Sequence, residues 1–546
     1  MSGASTNNKI SRKTFIAQLA SLTLLPLACG INQHKITGRI LGGNSTSGHR
    51  LRKNLSDDVQ VFSHKKVVIV GGGISGLTAA AKLKENGIDD FVLLELHEQA
   101  GGNSLGGSNS VSAYPWGAHY LPIPDHRDEE LVGFLKSCGV VTGFDISGLP
   151  IYNEEYLCFD PEERLFINGY WQEGLIPNFG VPNEQKKEIE RFLQLMDKYR
   201  NAKGSDGKDA FCIPIKNASK DEQFKRLDDT TFATFLGKNH FFSPYLVWYL
   251  NYCVKDDFGA TIDKVSAWAG IHYFASRKGK ASNAHYDTVL TWPEGNFWLV
   301  NQLQKNIKDK IQTNALTYSV KPTGNGKVKV SYLLNEKSVA ISADYVIMAT
   351  PQFINKKIID ERLMPHKLLT SNYMPWLVAN ISVNLYYEAT KGLPLSWDNV
   401  IYDAKGLGYV HAKHQMLSQS PDKTVFTFYY PLCEMGANDE RKMASEKTHD
   451  QWVELIVDEL EKAHPTIRKY IENIDVWIWG HGMILPEPGY QKQLNKVKAL
   501  PQRNVYFAHT DLSGISIFEE AFHQGIDAAK NIINNEKSGH KIQTSL

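Results

Sequence analysis

Gly71, Gly73 and Gly76 stand directly after the β-branched run Val67-Val68-Ile69-Val70 and open the helix-forming stretch Leu77-Thr78-Ala79-Ala80-Ala81-Lys82-Leu83. Glycines at this spacing, between a strand and a helix, suit the binding of a dinucleotide. Gly71 permits the tight turn, Gly73 lets a pyrophosphate reach bare backbone, and Gly76 lets the helix pack on the strand. Ile74 and Ser75, at the positive end of that helix, then turn their N–H groups to the phosphates. A second run, Phe91-Val92-Leu93-Leu94, ends in Glu95, placed to accept hydrogen bonds from ribose hydroxyls. The six cysteines form no C-x-x-C pair and no His/Cys cluster. They read as buried free thiols, and no metal is expected.

The elements that hold these groups follow from the pattern around them. Val67–Val70 is apolar without alternation, as in a parallel strand buried on both faces. An α/β fold with a Rossmann-like, doubly wound nucleotide-binding domain is therefore expected. At 546 residues the chain exceeds what one core usually organises, so a second domain is expected beside it. Sixty basic residues against 59 acidic ones leave no field that would draw nucleic acid or an anionic membrane. The expected partner is a small molecule.

Past Glu95 lies Gln99-Ala100-Gly101-Gly102-Asn103, and towards the C-terminus His509-Thr510-Asp511 precedes Ile517-Phe518-Glu519-Glu520-Ala521, running on to Ala529. Together with the glycine fingerprint, these stretches resemble the flavin-containing amine oxidase family, whose relatives include polyamine oxidases, protoporphyrinogen oxidase and phytoene desaturases. The resemblance implies FAD. By it, Gly101 and Gly102 bring backbone to the pyrophosphate with Asn103 beside them, Leu316 lends a backbone contact to the adenine, and Asp511 meets the ribityl or phosphate region. The closing helix brings Ile517, Phe518 and Ala521 to the flavin and aims its positive end there. Ala521, Gly525, Ala528 and Ala529 share one narrow face of that helix, which permits close packing. Two family features are missing. Gln99 and Asn103 replace the usual arginines around the glycine pair, and the strand matching Trp376–Val383 has no lysine, leaving Asn380 as its nearest polar residue. The missing lysine favours a dehydrogenase or desaturase over an oxygen-using oxidase.

The same resemblance locates candidates for the chemistry. Trp116-Gly117-Ala118-His119 runs where the family's chain passes along the flavin. Trp116, Gly117 and Ala118 are thus expected at the cofactor, and His119 as a proton acceptor or hydrogen-bond partner of the substrate. Trp479 and His481 match the region that sends an aromatic residue to the flavin, with a packed tryptophan stripe on alternate strand positions as the competing reading. His272, within Trp268–Tyr273, is a third candidate in a helical insertion. No paired-aromatic signature marks an amine cage.

The resemblance divides the chain into an FAD domain built from 64–150, 291–360 and 475–546 and an α+β substrate domain built from 151–290 and 361–474. Residues 30–63 read as a flexible leader, although Ile40-Leu41 and His49-Arg50-Leu51-Arg52 also suit packing against the body. Residues 1–29 read as an export signal. Ser11-Arg12-Lys13 resembles a twin-arginine motif, and the apolar run Phe15–Ala28 is too short to span a bilayer. Pro26-Leu27-Ala28-Cys29 resembles a lipoprotein cleavage box, which leaves a lipid anchor at Cys29 and plain secretory cleavage both open. The expected place is the periplasm, free or tethered to a membrane. The expected function is an exported FAD-dependent oxidoreductase that moves hydride from a small organic substrate, an amine or a C–C bond, to flavin N5, with the electron acceptor open. A non-redox flavoenzyme such as a mutase and a non-enzymatic flavin-binding partner protein are the alternatives.

Overall fold

The computed structural model describes residues 35–538 apart from 44, 54, 56–58, 365–370, 385–390, 417–421 and 499–503. The export and lipid-anchor expectations fall outside the described residues. Two large sheets organise the rest. The first is built on the strand Val61–Val70, which pairs in parallel with Phe91–Leu94 on one side and Lys337–Met348 on the other. Val505–Phe507 adds a further parallel partner to Lys337–Met348, while Ala315–Pro322 and Val328–Leu334 extend the sheet as an antiparallel meander.

Alternation along the central strand divides its side chains between two cores. Val67 and Ile69 pack under the helices Ile74–Glu85 and Phe518–Lys537, whereas Val68 and Val70 pack on the opposite side with Val330, Val346 and Met348. With both faces covered, every position of the buried half, Val67–Val70, is apolar. The two helices approach so closely that a Cβ on Gly525 would lie 2.3 Å from the Ser75 carbonyl oxygen. This is the close contact that the small-residue face Ala521–Ala529 allows.

The second sheet has eight strands, with Tyr373–Asn384 between Lys423–Pro431 and Ile471–Ile484. Leu377, Ala379, Ile381 and Val383 pack beneath the helix His449–Glu461, and Trp376 and Val378 face the other way. A helical layer roofs that second face, its core drawn from Asn183–Asn201, Pro244–Phe258 and Ala267–Ala275.

Strand pairing bears on the sequence-based division at two places. Ile40–Gly42, read either as flexible leader or as packing against the body, is a parallel edge strand on Val476–Ile478. Residues 475–484, assigned to the FAD domain, belong to the long strand Ile471–Ile484 and so to the second sheet. Local composition marks a strand but not its partner, because partner choice depends on residues far away in sequence.

Candidate active site

Two cavities open between the sheets and share part of their walls. The larger encloses about 1410 Å³ and follows the carboxyl ends of the parallel strands. Gly71, Gly73, Ile74 and Ser75 line its floor, with Glu95, Gly101, Gly102, Asn103, Ala118, Leu316, Asp511, Ile517, Phe518 and Ala521 around it. Gly73 and Gly101 pair as an isolated parallel bridge, which lays the two glycine loops side by side with bare backbone to the cavity. Gly76 stands behind this surface. A Cβ there would meet the Gly71 carbonyl oxygen at 1.9 Å, so its part is packing, as its position in the fingerprint requires.

Glu95 is locked in place: one carboxylate oxygen accepts the Gly72 N–H and the other the His97 N–H, both at 2.7 Å. Burial raises its pKa while these N–H donors oppose the rise. Asp511 is fully buried, accepts the Gln352 N–H at 2.7 Å and the Tyr373 hydroxyl, and lies 3.0 Å from His509 Nδ1. His509 and these donors hold its pKa below the ordinary value. Thr317 Oγ1, on the cavity wall, is buried without a hydrogen-bond partner. A groove floored by glycine backbone, with a fixed acid at one end and an unmet hydroxyl beside it, fits an elongated dinucleotide.

The smaller cavity, about 820 Å³, touches the first at Asn103, Ala118, Gly482, Ser516, Ile517 and Phe518. Gly117, His119, Tyr120, Trp376, Tyr429 and Trp479 form much of its wall. His119 lies 4.6 Å from the Tyr429 ring, 4.8 Å from Tyr120 and 5.5 Å from Trp397, measured between centroids. Burial pulls its pKa down to about 3, so the imidazole is neutral at ordinary pH. A buried, neutral imidazole suits a hydrogen-bond partner better than a proton acceptor. Tyr429 is fixed by donating to the Gly117 carbonyl at 2.9 Å, and Trp479 Nε1 donates to the Trp116 carbonyl at 2.6 Å.

A charged group that sequence reading missed completes this cavity. Asp256 and Asp257, on the helix Pro244–Phe258, line it with Arg277 and Glu519. Arg277 bonds Asp257 at 2.9 Å, and the Tyr120 hydroxyl donates to Asp256 at 3.1 Å. Burial, with Asp257 adding repulsion, pushes the Asp256 carboxyl up to about 7, and burial raises Glu519 to about 7 against the pull of Arg277. The signal available in sequence was the adjacent pair Asp256-Asp257 at the end of a largely apolar helix.

Several expected roles do not match the positions found. Asn380 has the strand parity of Trp376 and Val378 but lines neither cavity. Its amide donates to the Pro115 carbonyl at 3.0 Å, and its oxygen accepts the Thr427 hydroxyl at 2.7 Å. Both ends are consumed inside the core. Trp116 also lines neither cavity; its ring packs on Trp477 at 5.4 Å, and only its carbonyl serves the site. His481 sits on the cofactor side, stacked on Phe353 at 4.4 Å, away from the substrate cavity. His272 is 1% exposed in the helical core, and its nitrogens reach no cavity. Asn103 spends one amide N–H on the Gly482 carbonyl, tying the glycine loop to the second sheet. Among the described residues no group of His, Cys, Asp and Glu is arranged to hold a metal ion.

Comparison with known proteins places this geometry. The family described as flavin containing amine oxidoreductase matches residues 74–533. A Baeyer-Villiger monooxygenase of Penicillium patulum is 52% identical over 42 residues, 8% of this chain and 7% of that protein. A flavin-containing amine oxidase of Oncorhynchus mykiss is 38% identical over 77 residues, 14% of each chain. The chain therefore matches only a small part of the length of these curated relatives. Among solved structures, wild-type putrescine oxidase bound to putrescine has a TM-score of 0.62 at 15% identity, over 86% of this chain and 99% of that one. Cyclohexylamine oxidase from Brevibacterium oxydans has a TM-score of 0.60 at 16% identity, over 87% and 100%. A fatty acid isomerase from P. acnes has 0.57 at 16%, over 88% and 99%. At these identities the likeness is one of fold. The family match covers most of the chain, and its cofactor is the dinucleotide that the larger cavity suits: the protein belongs to the flavin containing amine oxidoreductases, with FAD as its cofactor.

Proposed function

We propose that this protein is an FAD-dependent oxidoreductase acting on a small cationic amine. The observation that carries the reading is the smaller cavity: an aromatic wall with Asp256, Asp257 and Glu519 set against Arg277, opening onto the cofactor cavity at Ala118, Ile517 and Phe518. FAD, when bound, supplies a hydride acceptor. The chain's own residues do the rest. Asp256 attracts the positive end of the substrate, and the rings of Tyr120, Trp376, Tyr429 and Trp479 favour a cation and exclude water. His119, held neutral, orients a polar group of the substrate next to the shared wall. Putrescine oxidase and cyclohexylamine oxidase, both named for amines, are in line with this reading.

The acceptor of the electrons belongs to the same proposal. Among the described residues no lysine lines the substrate cavity, and the strand Tyr373–Asn384 reaches its wall through Trp376 and Val378, which favours an acceptor other than oxygen. Export through residues 1–29 is likewise proposed, and finding the protein in the periplasmic or membrane fraction of expressing cells would support it.

The deciding experiment adds primary amines, diamines and unsaturated fatty acids to the purified protein without oxygen. Bleaching of the flavin absorbance by an amine supports the proposal. A flavin that stays oxidised with every amine, or a fatty acid isomerised without net oxidation, would overturn it.

A further inference from the structure

The wall of the cofactor cavity carries the carboxylates of Glu95 and Asp511, and among the described residues that line it there is neither lysine nor arginine. The residues flanking the glycine pair, Gln99 and Asn103, bring no charge either. Backbone N–H groups and the positive end of the helix at Ile74 and Ser75 face the pyrophosphate, so a lysine or arginine that adds to them must come from another part of the chain.

The N-terminal segment is placed to do so. It is anchored on the second sheet, where Ile40–Gly42 pairs with Val476–Ile478 and the Arg39 N–H bonds Asp475 at 3.1 Å. It then crosses to the first sheet as the short helix Ser45–Gly48 and the turn His49–Arg52. Arg50 ties the crossing down through an ion pair of 2.6 Å with Glu336. Gly48 and Leu51 line the cofactor cavity beside Glu95, Leu96 and Leu316. Leu51 packs in the small apolar cluster of Leu316, Tyr318 and Leu333. His481, itself on the cavity wall, has its pKa lowered to about 4, first by burial and then by Arg441, with His49 and Arg52 adding smaller effects. All of this precedes residue 74, where the family match begins.

We propose that residues 45–52 form part of the cofactor site, with Leu51 covering the end of the groove at Glu95 and Leu316, and the exposed Arg52 beside it supplying positive charge from outside the wall. The segment is a strap from one sheet to the other that retains FAD. This inference rests on the reading of the larger cavity as the FAD site.

The test measures FAD affinity of the full chain, by titrating the flavin-free protein with FAD at low and high salt, and FAD release, by the fluorescence gained on dilution. Arg52 is exposed, so the variant Arg52→Glu should fold. It is expected to weaken FAD binding about tenfold at low salt, with the gap to the wild type shrinking at high salt. Leu51→Ala is expected to release FAD about tenfold faster at both salt concentrations. Wild-type affinity and release in both variants would overturn the strap while leaving the cavity assignment intact. A wild-type chain that takes up no FAD at all would overturn both.

Discussion

The two cavities that meet at Ala118 are built from different materials. The cofactor cavity is floored by backbone: Gly71 to Gly73 and Gly101 to Gly102 come from two short loops, each at the end of a parallel strand. The substrate cavity is walled by side chains that arrive from distant points of the chain, with Tyr120, Asp256, Arg277, Tyr429, Trp479 and Glu519 each on a different segment. A backbone surface tolerates almost no added atoms but is indifferent to most of its neighbours' chemistry. A side-chain surface can be retuned one residue at a time. Substitutions should therefore act on the first cavity nearly all-or-none and on the second by degrees.

The sharpest form of this contrast is at Gly73. A Cβ there meets nothing closer than Gly102 Cα, at 3.9 Å, so the protein has room to fold with a larger residue. The new side chain would occupy the groove instead. Gly73→Val is expected to give folded protein with FAD affinity lower by about a thousandfold, about 4 kcal/mol. Gly76→Val, three residues on, should instead yield no soluble protein, because its Cβ falls on the Gly71 carbonyl. Flavin content of the purified proteins, read beside a thermal melt, separates the two. If Gly73→Val kept its flavin, the glycine loop would not be the floor of the cofactor site.

In the substrate cavity the largest graded effect belongs to Asp256. Asp256→Asn is expected to lower kcat/KM for a cationic amine about thirtyfold, about 2 kcal/mol, mainly through KM. The melting temperature should hold or rise, since the buried carboxylate and its repulsion from Asp257 are both relieved. Unchanged kinetics with amines would remove the acid from substrate recognition.

The same carboxyls set the pH dependence. Asp256 and Glu519, both pushed up to about 7, are protonated below that pH and attract a cation only above it. The wild-type kcat/KM for an amine of high pKa should rise about tenfold from pH 6 to pH 8, about 1.4 kcal/mol, and the rise should flatten in Asp256→Asn. Stability should move the opposite way. A carboxyl with a raised folded-state pKa binds protons in the native state that the unfolded chain has already released, so stability falls as pH climbs from the ordinary carboxylate range through 7. Affinity and melting temperature that rise together across this window would contradict the assignment.

This difference in material also explains what could be read from sequence. The glycine fingerprint and Glu95 were legible because backbone geometry is encoded locally, in a strand followed by glycines, whereas Leu316 and the closing helix were found through the family resemblance. The smaller cavity was not legible. Asp256-Asp257 looks like any charged helix turn until Tyr120 and Arg277, more than a hundred positions away from one another, are brought against it. The strap was half visible: Ile40-Leu41 and His49–Arg52 suited packing against the body, but Ile40–Gly42 has too few residues to announce a strand, and only the pairing with Val476–Ile478 makes it one.

His119 tests the substrate cavity at a finer grain. Burial pulls its pKa down to about 3, so in the proposed reading it offers the substrate a hydrogen bond and packs on the Tyr429 ring without carrying charge at ordinary pH. His119→Gln is expected to lower kcat by about tenfold, about 1.4 kcal/mol, and to leave the shape of the pH profile as it is. Loss of an ionisation from the profile would show instead that the histidine exchanges a proton during turnover.

Asn380 bounds the comparison from below, because it shares the cavity-facing parity of its strand yet belongs to neither surface. Its two amide ends are committed to Pro115 and Thr427 in a place 2% exposed. Alanine there leaves the Pro115 carbonyl and the Thr427 hydroxyl buried without their partner, at a cost of about 2 kcal/mol. Asn380→Ala should therefore lower the melting temperature while kcat/KM and flavin content remain within about twofold of wild type. The Thr427 side makes a check on this account possible. If the loss comes from a stranded hydroxyl, Thr427→Val in the same chain should recover part of it, since the unmet polar group is then gone. A drop in kcat that persists in the double variant would return Asn380 to the chemistry, and strand parity would have been the better guide than hydrogen bonding.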